Sequence, residues 1–413
     1  MRRSLTGFVD GLPRVFWILW GGVFVNRVGT FVVPFMAVYL TDGRGFSVGT
    51  AGLVAALYGL GSAVASQVGG ALADHLGRRT TMLLGIGLGG VSMVALGFAS
   101  DLRLLMPLTF VAAVLNESYR PALQATVADI VPPRDRSRAF GALYWAANLG
   151  VAIGLVLGGA LAEQAFVLLF VGDGLTTLAF GALVWRLVPE TRPAPAATGP
   201  GRVRVLQGVV APYRDLPFLA FLLLNVMLLF VFMQHATTLP IDAAAHGISK
   251  SALGWVLAVN AATIVVVQPV ASAWLARLDR GRVLAGGAAL VAAGFGSYGV
   301  CESAWGFAGA TLVWSLGEIA VFPITNALVA DVAPSDLRGR YQGALGLSWG
   351  IAGFGAPLLG TAVLEDLDAV TLWGGCFGVS LLVAAGYVAL GPTLARVCSE
   401  RTASFSPAEG APP

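Results

Sequence analysis

The sequence predicts an all-α membrane protein that crosses the bilayer twelve times, in two six-helix halves related by a parallel repeat. Three observations carry this. Of the 413 residues, 57% are hydrophobic and 11% charged, with a mean hydropathy of +0.80, which no soluble globular domain matches. The apolar runs are long enough for helices of about 20 residues to cross about 30 Å of hydrocarbon; they lack the alternation of a membrane barrel, so helices that satisfy their own backbone remain. The chain also repeats: PALQATVADIVP from Pro121 to Pro132 aligns with PITNALVADVAP from Pro323 to Pro334. The register persists through Arg136 and Arg338, Arg138 and Arg340, Gly141 and Gly343, Gly158 and Gly360, and Glu163 and Glu365.

The predicted spans 1 to 12 cover 15–40, 50–72, 80–99, 104–130, 139–162, 166–188, 216–239, 252–275, 283–300, 305–330, 341–364 and 369–391. Residues 1–188 form the first half and 216–392 the second. Between them, 189–215 contains PETRPAPAATGPGR, whose Pro, Ala and Gly content reads as a linker. Residues 393–413 read as a disordered tail. The basic start MRRSLTGFVDGLPR is followed by a run too long for a signal peptide and without a cleavage site, so an uncleaved tail is expected. Arg78, Arg79, Arg134, Arg136, Arg138, Arg277, Arg280, Arg282, Arg338 and Arg340 share one side with the arginines of both tails and the linker, whereas Arg44, Arg103 and Lys250 lie opposite. By the positive-inside rule both termini are cytoplasmic, in the cell membrane. The net charge of +3 is thus a topology signal, and no aromatic-interleaved basic face points to nucleic acid. Cys301, Cys376 and Cys398 have neither disulfide nor metal spacing, and no metal or cofactor is expected.

Between spans 2 and 3 stands GGALADHLGRR, from Gly69 to Arg79. Its Gly70, Leu72, Asp74, Gly77, Arg78 and Arg79 resemble the signature that the major facilitator superfamily carries in this cytoplasmic loop, and the parallel halves are similar to that fold. A worn second copy, SAWLARLDRGR from Ser272 to Arg282, has Ala276 in place of Asp74. The resemblance implies that Asp74 meets the positive N-terminal end of span 11 near Gly339 to Tyr341 and holds the cytoplasmic side shut. It implies that Arg78 and Arg79 pair with Asp129, that Arg277 pairs with Asp331, and that Arg338 and Arg340 belong to the same gate. On span 5, Gly141, Gly150, Gly154, Gly158 and Gly159 resemble the antiporter signature of drug and proton exchangers, with Leu155 where proline is expected; Pro357 keeps that proline on span 11. Glycines at this spacing form a close packing seam. The arginine many exchangers carry early in span 4 is absent near Thr109.

Ionisable residues inside spans are costly and mark function. Asn26 and Arg27 on span 1, Asn116, Glu117 and Arg120 on span 4, Gln234 and His235 on span 7, and Glu318 on span 10 lie on the four spans that line the cavity in the family the chain resembles. Glu117 and Arg120, three apart, share a face. Positive charge beside Glu117 favours its ionised form, whereas Glu318 has no basic residue within a turn; Glu318 ranks first as proton carrier and Glu117 second. Asp173 lies on span 6, peripheral in that family, and reads as structural or interfacial. His75 and His246 fall in loops. Tyr58, Tyr119, Tyr144, Trp145, Phe230, Phe232, Trp314 and Trp349 are candidates to wall the cavity or to pack helices.

The expected function is a secondary transporter, monomeric, in the lipid bilayer, exporting a small amphipathic compound in exchange for protons. Leu155 and the two cavity arginines leave open a uniporter or symporter for a sugar or organic anion, and a non-transporting sensor is the alternative of another class. No nucleophile, base and orienting acid share a site, so no enzyme is expected.

Overall fold

The computed structural model describes residues 11–30, 32, 36, 39–40, 44–192 and 205–403. Among them the regular structure is helical, with no strand. Nine described helices are long and apolar enough to cross a membrane, from Thr50–Leu76 to Ala369–Arg401; they correspond to spans 2, 3 and 6 to 12. Span 1 contains the helix Arg14–Val28, with helical residues again at 32, 36 and 39–40; span 5 is Pro133–Gln164, and span 4 is divided. Twelve crossings are compatible with this set.

Local chemistry explains where helices begin. Ser47, Asp101, Asp215, Ser249, Asp279 and Ser303 each accept an amide of the first turn, capping spans 2, 4, 7, 8, 9 and 10. Span 4 breaks at Ser118 into Leu102–Glu117 and Tyr119–Ile130. Pro121 is the cause: it has no amide to offer the carbonyl of Glu117, and its ring crowds that carbonyl. Its repeat partner Pro323 sits inside the continuous helix Ala304–Val332, so the two halves differ where the polar residues lie.

Two expectations need correction. Residues 189–215 are not all irregular linker: Val205–Arg214 is a helix. The disordered tail expected from 393 is helical as far as Ala403, because span 12 continues through Pro392. Leu394 is buried, and Arg401 donates to the Val332 carbonyl and, at 2.8 Å, to Asp215; these contacts hold the extension against span 10 and the start of span 7. Residues 193–204 and 404–413 lie outside the described residues.

A buried apolar cluster from spans 7 to 12 centres on Phe218, Phe295, Trp314 and Trp373. Two more belong mainly to spans 1 to 6, one around Phe16, Met82 and Phe180, the other around Met93, Leu169 and Phe170. Between the two sets, span 2 packs on span 11, and span 5 on spans 8 and 10. Leu53, Phe98, Val266, Phe354 and Val388 project outward, the apolar exterior that a bilayer requires.

Candidate gate and transport site

At the arginine-rich end, Asp74 ties span 2 to span 11. Its Oδ1 accepts the Gly339 amide at 2.8 Å and its Oδ2 the Arg340 amide at 2.9 Å, at the exposed-donor end of a helix that begins at Arg338. Only glycines allow the approach: a Cβ on Gly70 would lie 2.4 Å from the Gly339 carbonyl oxygen, and one on Gly339 would lie 2.5 Å from that of Gly70. Gly77, at φ 108°, turns the chain between spans 2 and 3. Arg78 is 0% exposed and donates to Asp74 at 2.7 Å, Asp129 at 3.2 Å and the Ser335 carbonyl at 3.1 Å. Arg338 reaches Asp129 from the other half at 2.5 Å.

Other gate residues behave differently from expectation. Arg79 donates to the Trp185 carbonyl, and Glu190 accepts the amides of both Arg78 and Arg79, at 2.8 and 3.1 Å. Arg340 contributes its backbone, and among the described residues its buried Nε has no hydrogen-bond partner. Arg277 does not pair with Asp331; it is exposed, and Arg136 and Arg280 hold that carboxylate instead. The helix of span 9 begins at Arg280 behind its cap Asp279, which carries Arg280, not Arg277, onto the acid. An open cavity of about 660 Å³ is lined by residues of both ionic clusters, Asp129, Arg136, Asp331, Arg338 and Arg401 among them.

Deeper in, Glu318 is buried. One carboxylate oxygen accepts the hydroxyl of Tyr144 on span 5; the other accepts Nδ2 of Asn260 on span 8 at 2.6 Å, and the same nitrogen reaches Ser315 Oγ at 2.9 Å. Beside it rises an aromatic wall. The ring of Tyr144 is 5.8 Å from Phe322, Phe322 is 5.0 Å from both Phe232 and Trp349, and His235 stands 4.7 Å from Phe232 and 5.6 Å from Trp314. Asn260 was legible as a polar residue inside a span, but span 8 is not among the four singled out.

The first-half polar residues divide. At the break in span 4, Glu117 binds Arg120 at 2.6 Å and accepts the Tyr58 hydroxyl at 3.3 Å, while the Arg120 side chain keeps 41% of its surface exposed. Arg27 is half-buried, with its Cβ against Gly150. Asn26 is not a cavity residue: it turns to span 6 and donates to Thr177 at 2.9 Å. Asn116 lies against Gly89 of span 3. Gln234 donates to the Ala356 carbonyl at 3.0 Å and accepts from Thr238, so it fastens span 7 to span 11. The rotation of each helix, which composition does not encode, decides these outcomes.

The span 5 glycines serve two neighbours. Gly150 and Gly154 face span 1, where a Cβ would come within 2.6 Å of Arg27 Cβ and of the Val28 carbonyl oxygen respectively, whereas Gly141 faces Ser272 of span 8. Gly158 is buried. The surroundings of Leu155 and Gly159 lie outside the described residues.

A model of the Major Facilitator Superfamily matches residues 19–242 and again 221–411. The chain belongs to the Major Facilitator Superfamily. It is accordingly a multi-pass membrane transporter of small molecules and not an enzyme. Among relatives from this superfamily, the uncharacterized MFS-type transporter YttB of Bacillus subtilis (strain 168) is 28% identical over 340 residues, 80% of this chain and 84% of its own length. A Na(+), Li(+), K(+)/H(+) antiporter of Planococcus maritimus is 25% identical over 402 residues, 90% and 92% of the two chains. The multidrug resistance protein MdtH of Enterobacter sp. (strain 638) is 27% identical over 342 residues, 79% and 82%. In fold, the chain is similar to the human organic anion transporter MFSD10, with a TM-score of 0.77 at 18% identity, over 91% of this chain and 99% of that one.

Proposed function

We propose that this transporter exports a small amphipathic compound from the cytoplasm in exchange for protons, with Glu318 as the coupling acid. The observation that carries the reading is the setting of Glu318: a buried carboxyl inside a span, bound by the neutral donors Tyr144 and Asn260, one from each half, beside an aromatic wall. Such a group takes up and releases a proton according to how the halves are placed, and the wall suits the apolar part of a ligand. Glu117, clamped by Arg120, is the poorer carrier. The halves 1–188 and 216–392 rock about this site, and the Asp74 contact with span 11 closes the cytoplasmic side in the outward-facing form. The named drug-resistance and antiporter relatives support export and exchange.

Proteoliposomes loaded with a panel of amphipathic dyes test this under pH gradients of either sign. Exchange predicts accumulation against the dye gradient only when protons run the opposite way, and Glu318→Gln then loses uphill movement while keeping downhill exchange. A Glu318→Gln protein that concentrates dye as well as the unaltered chain does would remove the assignment.

A further inference from the structure

Span 6 carries a carboxyl that this scheme does not use. Asp173, within Val167–Leu187, is 2% exposed, so it is not the interfacial residue that the peripheral place of span 6 suggests. The next residue, Gly174, packs on Gly90 and Val94 of span 3, and Gly29 of span 1 closes on Thr176. Among the described residues, Asp173 Oδ1 accepts a long hydrogen bond, 3.4 Å from the Thr177 hydroxyl, and Oδ2 has no side-chain hydrogen-bond partner. The Val32 amide also donates to this carboxyl, and Arg27 of span 1, Glu117 of span 4 and Tyr58 of span 2 are the ionisable groups that reach it through space.

The donors leading to Asp173 all point one way. The Tyr119 hydroxyl donates to Asn26 Oδ1 at 3.0 Å, Asn26 Nδ2 donates to Thr177 Oγ1 at 2.9 Å, and Thr177 donates to Asp173. Tyr119 adjoins Arg120, which grips Glu117. A continuous chain therefore runs from an ion pair whose arginine is part-exposed to a carboxyl behind span 1. An ionised carboxylate in an apolar interior requires a paired cation or several donors; one hydroxyl at 3.4 Å, one backbone amide and the through-space charge of Arg27 fall short of that.

We propose that Asp173 is a second proton-binding site, holding its proton on Oδ2 in this conformation and releasing it to water when Arg27 closes on the carboxylate left behind. Its consequence for transport rests on the proton-exchange reading: the first half would then carry a proton of its own, in addition to that of Glu318. The test is infrared difference spectroscopy of the full-length protein in lipid nanodiscs, titrated across neutrality without substrate or gradient. The unaltered chain is expected to show a carboxylic C=O band that vanishes on alkalinisation; Asp173→Asn removes it and Glu318→Gln leaves it. A spectrum unchanged by Asp173→Asn overturns the proposal, as does a band that Asp173→Asn removes but pH never alters, the mark of a purely structural acid. Should Asp173→Asn fail to fold, Thr177→Val deletes the donor to Oδ1 and must shift the same band, and the absence of any shift is equally fatal. Loss of dye coupling in Glu318→Gln leaves this readout untouched, so the two readings fail separately.

Discussion

The Tyr144 hydroxyl on span 5 donates to the Glu318 carboxylate on span 10, so a hydrogen bond to a titratable group joins the first six spans to the last six. A hydrogen bond to a charged partner contributes about 1.5 to 3 kcal/mol, which corresponds to roughly a tenfold to hundredfold change in an equilibrium. Tyr144→Phe keeps the ring against Phe322 and deletes only the hydroxyl. Uphill dye accumulation should fall by about tenfold or more, with downhill exchange near normal. Unchanged accumulation at every pH would show that the bond plays no part in coupling.

Asp74→Asn removes the charge that two backbone amides of span 11 and the Arg78 guanidinium share. The closed arrangement should lose about 1.5 to 3 kcal/mol, and the population should move toward the form open at the arginine-rich end. Spin labels on the ends of spans 2 and 11 report it as a longer distance component. Identical distance distributions in mutant and parent would rule out the gate role.

Arg277 and Arg280 separate what the repeat suggests from what the fold does. Arg280→Ala takes one of two cations from the buried Asp331, and removing a partner from a buried pair costs about 3 to 5 kcal/mol; the partial exposure of Arg280, 26% of its side chain, and the remaining Arg136 place the loss at or below the lower end. Arg277→Ala, on the surface, should stay within about 0.5 kcal/mol. Thermal unfolding in detergent compares them, and equal losses would return Arg277 to the gate.

Gly154→Ala places a methyl 2.6 Å from the Val28 carbonyl oxygen, whereas Gly21→Ala points into open space. Overpacking of this kind costs about 1 to 3 kcal/mol. Gly154→Ala should therefore depress both transport and melting temperature while Gly21→Ala leaves them alone. Full activity in Gly154→Ala would mean that spans 1 and 5 do not need this approach.

The sequence by itself determined the helical membrane class, the parallel repeat and the loop in which Asp74, Arg78 and Arg79 stand, because hydropathy over a span and the chemistry of a short charged loop are local properties. It also picked out Glu117, Arg120 and Glu318, since an ionisable residue in an apolar run is visible without a structure. Only the tertiary structure decided which of these groups meet. Asn26, Asn116 and Gln234 turn into helix contacts because helix rotation is set by packing across the whole bundle. Asp331 takes Arg136 and Arg280 over Arg277 because the first turn of span 9 carries Arg280 onto it. Glu318 finds Tyr144 and Asn260, and Asp173 the one-way chain from Tyr119, across 174, 58 and 54 positions of sequence respectively. Partners at such separations are fixed by how spans cross, and no local pattern in the chain records it.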